Sequence, residues 1–413
     1  MQDLLADFLS FVKINTRSNE QSQSIPTTPG QKELALILKR KLVELGLTQV
    51  QYIEACAFTI GCLKGNVPGK AIGFIAHVDT ADYNAENIRP QIFENYDGSD
   101  LLLNEARQIY LRVADSPNLK DYIGQTLITT DGLTLLGADD KAGIAEILAM
   151  LRYYVAHPEV RHPDIWVAFG PDEEIGRGAD RFPVEQFPVD FAYTVDSGRV
   201  GHFEYETFNA AKLELVIDGI SVHPGTAYQQ MVNALKLAFE IDAALPQEQV
   251  PEKTKGYEGF YLLHDLNGSI AHATANYIIR DHDAEAFAAK KAYVVEVIEK
   301  INARYSYQPI KYQLIDQYYN MRPIVEKCPQ AIDLAIHAMH NLSITPIVAP
   351  FRGGTDGSKI SYLGIPTPNL FTGGENFHGQ YEFISLQAME KAVQTLIEIV
   401  RLYGVGQSVI EKS

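Results

Sequence analysis

AIGFIAHVD, residues 71–79, is the stretch of sequence that decides the fold. It is apolar, and partly β-branched or aromatic, up to His77, and it then turns abruptly polar, as a buried strand does when it ends at a site. Two later segments, DIWVAFGPDEE (164–174) and FAYTVDSG (191–198), repeat this pattern of an apolar strand followed at once by carboxylates. Because sites in open α/β sheets collect at the carboxyl ends of the strands, the three segments predict a largely parallel sheet with a polar site along one edge.

A change of hydrophobic pattern marks an insertion between about residues 209 and 316. It contains the alternating strand LELVID (213–218), a helix near 229–245 and further strand and helix patterns, whereas the α/β pattern continues on both sides. We therefore predict an α/β protein whose catalytic domain, residues 1–208 and 317–413, has a mixed, largely parallel sheet flanked by helices. Residues 209–316 are predicted to form a smaller α+β lid domain with an antiparallel sheet and two helices.

Apolar periodicity predicts the helices of the α/β part. One has an apolar face running from Leu4 to Val12, a second covers about residues 31–45, a third lies near 329–340, and Ser385 begins a closing helix. The stretch before about Thr130 shows no long period, and we predict that it is rich in loops.

The composition excludes several classes of protein. The formal net charge of −17 disfavours a nucleic-acid binder, which needs clustered Lys and Arg. The 3 cysteines form no CxxC pair, so a disulfide framework is not expected. The N-terminal segment carries acidic residues within its apolar run and does not match a signal peptide, and no apolar stretch approaches membrane-spanning length. We expect a cytoplasmic protein with neither a nucleic-acid nor a membrane partner.

Five residues at or near the predicted strand and helix ends belong to types that bind zinc: His77, Asp139, Glu174, Asp196 and His378. A two-metal hydrolytic site needs roughly four to six imidazole or carboxylate ligands around ions ~3.5–4 Å apart. Each residue alone has an ordinary alternative, such as a helix cap for the GADD turn, a solvated surface for the acidic pair 173–174 or a loop position for His378. Strand ends of one sheet are neighbours, however, and so many carboxylates would repel one another without cations. Together they predict a shared metal site.

The motifs that carry these residues are HVDT (77–80), GADDKAG (137–143), DEE (172–174), VDSG (195–198), RGGTDGS (352–358) and GGENFHG (373–379). In this order they resemble the co-catalytic zinc aminoacylase/carboxypeptidase family, most closely its tripeptide aminopeptidases. The resemblance implies two zinc ions, for which cobalt or manganese could substitute. Asp139 would bridge both ions, His77 and Asp196 would complete one site, and Glu174 and His378 would complete the other.

The resemblance also implies roles for residues that bind no metal. Glu173, beside a ligand, would be the general base, and the peptide bond that follows Asp139 would be cis. Asp79 would accept a hydrogen bond from the free ring nitrogen of His77, although a turn cap is its alternative. His223, in SVHPG, would stabilise the oxyanion of the tetrahedral intermediate, unless it is only a turn histidine before a proline.

A tripeptide substrate would need a cation for its free C-terminal carboxylate, and an Arg guanidinium offers a matching bidentate fork. Arg280, after the strand TANYIIRD, and Arg352, in the glycine-rich turn, are the candidates, although each could form an internal ion pair instead. Asn276 and Thr355 are expected to assist.

The expected function is removal of the N-terminal residue from tripeptides, by a water that two zinc ions activate and Glu173 deprotonates. The alternatives are a related dizinc dipeptidase, carboxypeptidase or N-acyl-amino-acid amidohydrolase, and a non-catalytic metal-dependent binding protein. The expected partners are a short peptide substrate and, through the inserted domain, a second copy of the chain.

Overall fold

The structure is a computed structural model that describes residues 2–406, and it divides into two compact units. The first unit comprises the chain up to Tyr205, Met321–Ala349 and the chain from Thr355 onward, and the second unit comprises Glu206–Asn320 and Pro350–Gly354. The sequence placed the insertion at residues 209–316 and gave no sign that Pro350–Gly354 returns to the second unit. Apolar periodicity does not tell which of two cores a short turn joins.

Both units contain helices and strands. In chain order the helices are α1 (Gln2–Val12), α2 (Pro29–Glu44), α3 (Ala138–Ala156), α4 (Ala234–Ala244), α5 (Ala284–Asn302), α6 (Arg322–Val325), α7 (Pro329–Asn341), α8 (Asp356–Tyr362) and α9 (Leu386–Val405). The strands are β1 (Thr48–Ile53), β2 (Phe58–Leu63), β3 (Ala71–His77), β4 (Gln91–Phe93), β5 (Leu101–Asn104), β6 (Ile109–Leu111), β7 (Leu127–Thr129), β8 (Asp164–Gly170), β9 (Phe191–Ser197), β10 (His202–Glu204), β11 (Asn209–Asp218), β12 (Phe260–Gly268), β13 (His272–Asp281), β14 (Ile310–Tyr318), β15 (Ile347–Val348), β16 (Asn369–Phe371), β17 (Gly374–Glu375) and β18 (Phe383–Ser385).

The first unit is built on a mixed eight-stranded sheet in the order β1-β2-β8-β3-β9-β16-β10-β15. β3 pairs in parallel with β8 on one side and with β9 on the other, and β9 pairs in parallel with β16. β1, β2 and β8 are joined by antiparallel pairing. The segment quoted above is thus a central strand, and nearly all of it is buried because both faces of the sheet are covered.

Alternate side chains of β3 enter two different hydrophobic cores. Ile72 and Phe74 join the larger core, to which α1, α2, α3, α7 and α9 contribute. Ile75 points the other way and joins a smaller core with Trp166 of β8 and Ile360 of α8. The first unit is therefore a sheet between two covering layers, and its strand ends are left open as the place for a site.

The second unit is a four-stranded antiparallel sheet, in the order β12-β13-β11-β14, with α4 and α5 packed on one face. Its strands alternate as the sequence predicted: Leu213 and Leu215 of β11 and Tyr277 and Ile279 of β13 are buried against the helices. The predicted fold class, an α/β protein with a separate antiparallel domain, is confirmed.

Several details differ from the sequence prediction. The helix expected near 229–245 begins only at Ala234, because the Asn233 side chain accepts the Leu235 N–H at 3.0 Å and caps it there. β12 and β14 were not predicted: β12 opens with four consecutive apolar residues instead of an alternation, and bulges interrupt the pairing of both strands. The stretch before Thr130 holds β4 to β7, whose three or four residues are too few to show a period. Within residues 2–406, no helix is long and apolar enough to cross a membrane.

Candidate metal centre

Three adjacent parallel strands bring polar residues to one edge of the central sheet. β3 ends at His77, Asp196 is the penultimate residue of β9, and the turn after β8 carries Asp172, Glu173 and Glu174. Since β8, β3 and β9 are neighbours, these strand ends lie side by side. This is the juxtaposition that the sequence predicted.

Asp139 lies at the start of α3, and its carboxylate faces two histidines. Oδ1 is 2.9 Å from Nε2 of His77, and Oδ2 is 2.9 Å from Nε2 of His378. Asp139 and Asp140 both depart from helical backbone angles, and the peptide bond between them is cis, as predicted. One carboxylate thus faces two imidazoles that belong to distant parts of the chain.

The five predicted ligands form two triads that share Asp139: His77, Asp139 and Asp196, and Asp139, Glu174 and His378. Within each triad the candidate ligand atoms lie within 4.8 Å of one another. His77 Nε2 is 3.3 Å from Asp196 Oδ1, and His378 Nε2 is 3.2 Å from Glu174 Oε2. This is the geometry of two adjoining sites that share one carboxylate.

The residues present fit a pair of zinc-like cations. The donors are imidazole nitrogen and carboxylate oxygen only, which zinc accepts. Glu174 Oε1 is buried and has no hydrogen-bond partner within residues 2–406, and the buried Asp196 Oδ1 has only the 3.3 Å approach of His77 Nε2. A buried polar atom left unpaired costs about 1–3 kcal/mol, and more when it is charged. A cation in each triad would supply the missing partner.

The electrostatics of the triads favour the same conclusion. Burial lowers the pKa of His77, but Asp196 and Asp139 outweigh it and hold that pKa well above its ordinary value. Hydrogen bonds to Asp139 and Glu174 raise the pKa of His378 to about 11. Burial, with Asp139 adding to it, raises the pKa of Asp196 and of Glu174 to about 7. These raised pKa values favour the protonated histidines when no cation is bound, so metal binding competes with protons at both rings.

Asp79 contacts both His77 and the turn after β8. His77 Nδ1 is 3.3 Å from Asp79 Oδ1 and 3.1 Å from the Asp79 carbonyl oxygen, which places Asp79 at the ring nitrogen turned away from the triad. The Asp79 carboxylate also accepts the backbone N–H groups of Glu173, at 3.0 Å, and Glu174, at 3.1 Å. The sequence suggested only the first contact, because side-chain patterns do not reveal bonds to backbone groups.

Glu173 lies beside the ligands but belongs to neither triad. It lines a small cavity together with Asp140, Asp196 and Asp356. Burial raises the pKa of Glu173 well above its ordinary value, and Asp196 and Asp356 raise it further against the opposing effect of His77. Glu173 is therefore a buried carboxyl group that lies next to the ligands without a place in either triad.

Glu382 is a buried residue of the site that the sequence did not predict. Its Oε2 accepts the N–H groups of Leu136, at 2.7 Å, and Gly137, at 2.8 Å, and its Oε1 accepts the N–H of Asp139 at 3.1 Å. Glu382 thereby fixes the backbone that carries the shared carboxylate. The one available signal was an acidic residue between the aromatic Tyr381 and Phe383, four residues after His378.

The loop that carries His378 is held from the 3₁₀ segment Pro117–Tyr122. Glu375 accepts the Tyr122 hydroxyl at 2.7 Å and the Asn118 amide at 2.9 Å. Asn376 and His378 have φ values of +56° and +63°, in the left-handed region that few non-glycine residues occupy. The His378 side chain is 54% exposed, so it closes the triad from the solvent side.

Arg280, Asn276 and His223 lie in the second unit. Arg280 Nη1 donates to the carbonyls of Ala211, at 3.1 Å, and Ile279, at 3.0 Å, and its guanidinium lies over Tyr318. Asn276 precedes it by four residues on β13, so both side chains lie on the sheet face opposite the helices. His223 is exposed, and its Nδ1 accepts the Gly225 N–H at 3.1 Å.

Arg352 and Thr355 have contacts that need no substrate. Arg352 Nη1 donates to the carbonyls of Gly256 and Glu258, both at 2.8 Å, and Nη2 donates to Thr254 at 2.8 Å. Thr355 is buried, and its hydroxyl accepts the Gly357 N–H at 2.9 Å, which caps α8. These contacts account for both residues as parts of the fold.

Comparison with known proteins extends this picture. Residues 205–306 match the family model described as the peptidase dimerisation domain. A peptidase T from Fusobacterium nucleatum subsp. nucleatum is 54% identical over 397 residues, which cover 96% of this chain and 96% of the relative. The crystal structure of aminopeptidase PepT from Bacillus cereus matches with a TM-score of 0.76 at 22% identity, over 97% of this chain and 98% of that one. A Staphylococcus aureus tripeptidase matches with a TM-score of 0.77 at 21% identity, over 98% and 99% of the two chains.

The fold, the paired ligand triads and the matched domain define the class of protein, a metallopeptidase of the M20 type. The two solved structures share its fold over nearly the whole chain. Within this class, the chain is 54% identical to a peptidase T over 96% of its length. The chain belongs to the peptidase T family.

Proposed function

We propose that this protein is an aminopeptidase that removes the N-terminal residue from tripeptides at a two-zinc centre, with Glu173 as the general base. The carrying observation is the Asp139 carboxylate, whose two oxygens each lie 2.9 Å from a histidine of a different triad. A carboxylate shared in this way would let the two triads hold two cations side by side, as two-metal hydrolases do. The tripeptide and its amino end are inferred from the similar proteins described as tripeptidase and aminopeptidase.

The two triads would hold the metals, with Asp139 shared between them. Bound zinc ions lower the pKa of a water from 15.7 to about 7 and polarise a carbonyl oxygen. Cobalt or manganese accepts the same nitrogen and oxygen donors.

Glu173 moves the proton in this proposal. Its carboxylate takes a proton from the attacking water and later delivers it to the amine of the departing dipeptide. Asp79 holds the backbone of both Glu173 and Glu174, so the base and the neighbouring ligand keep a fixed separation. Cations in the two triads would oppose the raised pKa of Glu173 and favour the carboxylate that takes the proton.

Arg280 is our choice for the group that binds the free C-terminal carboxylate. Two backbone carbonyls and the Gln317 side chain, at 3.0 Å, already fix its guanidinium, so little side-chain entropy is lost on binding. Asn276 lies on the same sheet face and would assist. Arg352 makes the same kind of contacts as Arg280 and stays the second candidate, whereas Thr355 is the weakest because its hydroxyl caps α8.

His223 is the proposed oxyanion donor. Its Nδ1 accepts a backbone N–H, so the proton of the neutral ring resides on Nε2. A ring in this tautomer can donate from Nε2 to a developing negative charge. We also propose a homodimer formed through the second unit, since the matched dimerisation domain lies there.

The test is a comparison of peptides of different length and blocked ends. We expect trialanine to yield alanine and dialanine much faster than dialanine or tetra-alanine is cleaved. N-acetyl-trialanine should resist because it lacks the free amine, and trialanine amide should bind poorly because it lacks the carboxylate. Chelation should abolish the activity, and zinc should restore it.

Other outcomes would favour the alternatives. Preferred cleavage of dialanine would indicate a dipeptidase, and preferred cleavage of N-acetyl-trialanine would indicate a carboxypeptidase or an N-acyl-amino-acid amidohydrolase. Zinc binding without cleavage of any of these peptides would indicate a non-catalytic binding protein.

A further inference from the structure

Residues 14–31, here called the strap, run from the end of α1 into α2 and contact three ligand-bearing turns of the first unit. The Lys141 ammonium, two residues after Asp139, donates to the Ile14 carbonyl at 2.8 Å. The Ser18 N–H donates to the Thr80 carbonyl at 3.1 Å, next to Asp79. The third contact is made by the motif PTTPGQ (26–31), and it reaches the turn after β8.

In this third contact Asp172 is held by two residues of the strap. Gln31 Nε2 donates to Asp172 Oδ1 at 2.7 Å, and Gln31 Oε1 accepts the Asp172 N–H at 3.1 Å. The Thr27 N–H donates to Asp172 Oδ2 at 3.0 Å, and the Thr27 hydroxyl donates to Oδ1. All three residues are buried, so water does not compete for these bonds.

The backbone conformation of Asp172 explains why several hydrogen bonds are needed to hold this residue. Its φ of +56° lies in the left-handed region, which is uncommon for a residue other than glycine. Such a conformation persists where surrounding contacts over-determine it. Here it sets the direction of the chain at Glu173 and Glu174, the next two residues.

We infer that Thr27 and Gln31 are positioning residues of the metal centre, which act through Asp172 on Glu173 and Glu174. Glu174 belongs to only one triad, so loosening Asp172 should weaken one metal site and leave the site of His77 and Asp196 unchanged. The effect on turnover rests on the proposed function of Glu173, whereas the effect on metal affinity does not.

The first test measures zinc affinity without catalysis. Gln31→Met removes both amide contacts at similar volume, and Thr27→Val removes the hydroxyl. Loss of an outer partner that contacts a metal ligand directly typically weakens binding about 10–100-fold, and Thr27 and Gln31, which reach Glu174 only through Asp172, should act at the lower end of this range, about 10-fold. In titrations of the metal-free protein against a competing chelator, we expect a loss of this size at one of two zinc sites and no change at the other.

Matched controls separate positioning from general damage. Gln23→Met makes the same substitution at an exposed position of the strap and should bind both ions as the wild type does. Thr27→Ser restores the hydroxyl and should recover most of the loss seen with Thr27→Val. Equal weakening of both zinc sites, or unchanged affinity in Gln31→Met and Thr27→Val, would overturn the inference. If Gln31→Met does not fold, the Thr27→Val and Thr27→Ser pair decides.

The second test separates this inference from the proposed function. With trialanine as substrate and at saturating zinc, Gln31→Met and Thr27→Val should each lower kcat about 10-fold or more. KM should stay within about threefold of the wild type, because the substitutions displace the general base and not the group that binds the peptide. Selective zinc loss in a protein that cleaves no tripeptide would support the strap and refute the proposed function. If both variants keep the zinc affinity and the kcat of the wild type, and the wild type cleaves tripeptides, the role of the strap is refuted and the proposed function is supported.

Discussion

Replacing Glu382 by glutamine changes one oxygen to an amide nitrogen at the point where the backbone of Asp139 is held. The carboxylate accepts three N–H groups, from Leu136, Gly137 and Asp139. An amide oxygen in the position of Oε2 can keep the bonds to Leu136 and Gly137. The new NH2 group then faces the N–H of Asp139, so one hydrogen bond is lost and two donors oppose each other.

The magnitude follows from the charge and the burial of this group. A hydrogen bond to a charged group contributes about 1.5–3 kcal/mol, and bonds to a neutral acceptor are roughly half as strong. One bond lost and two weakened give an expected loss of about 3–6 kcal/mol, which corresponds to roughly a hundredfold or larger change in an equilibrium constant. The experiment belongs at pH 8, since burial raises the pKa of Glu382 to about 7 and the wild-type carboxylate is ionised above that value.

Two measurements divide this loss between the fold and the site. Urea denaturation of the metal-free protein gives the change in the free energy of unfolding, and competition with a chelator gives the change in zinc affinity. Glu94→Gln, an exposed substitution of the same kind in the first unit, serves as the control and should change neither quantity. If Glu382→Gln leaves the free energy of unfolding and the free energy of zinc binding within about 0.5 kcal/mol of the wild type, the three hydrogen bonds of Glu382 do not hold the backbone of Asp139.

Three further predictions address the base, the ligands and the core. Glu173→Gln should lower kcat about 10²–10⁴-fold yet retain two zinc ions per chain by metal analysis, and near-normal turnover would remove Glu173 as the base. Zinc binding at pH 7 should release more than one proton in total, from His77 and His378, whose pKa values are raised, and in part from Asp196 and Glu174, whose pKa values are about 7. Calorimetry in buffers of different ionisation enthalpy measures this release, and a net release well below one proton would contradict the prediction. Glu146 on α3 is buried with no hydrogen-bond partner within residues 2–406, and burial raises its pKa well above the ordinary value. The folded state therefore favours protonated Glu146 and loses stability as pH rises above the glutamate pKa of the unfolded chain. Glu146→Met should raise the free energy of unfolding, measured with urea, by about 1–3 kcal/mol at pH 8 and by less at pH 5. An equal effect at both pH values would contradict this prediction.

The sequence predicts most where one side chain carries one function. The apolar run of β3 indicates a buried central strand. The residue types of His77 and Asp196, and their positions at strand ends, indicate candidate metal ligands. The roles of Glu382 and Asp172 were not predicted, because both residues act through hydrogen bonds with backbone groups or with residues far away in the chain. Pro350–Gly354 escaped because its membership of the second unit depends on tertiary contacts of Arg352, which no local pattern encodes.

The interleaved order of the central sheet has a consequence for biosynthesis. β16 lies between β9 and β10, yet it emerges from the ribosome some 170 residues after β9. The contiguous part of the second unit, Glu206–Asn320, is complete well before that and can fold as a unit while translation continues. His378 and Glu382 arrive later still. A nascent chain therefore lacks the second candidate triad until the residues up to His378 have been synthesised.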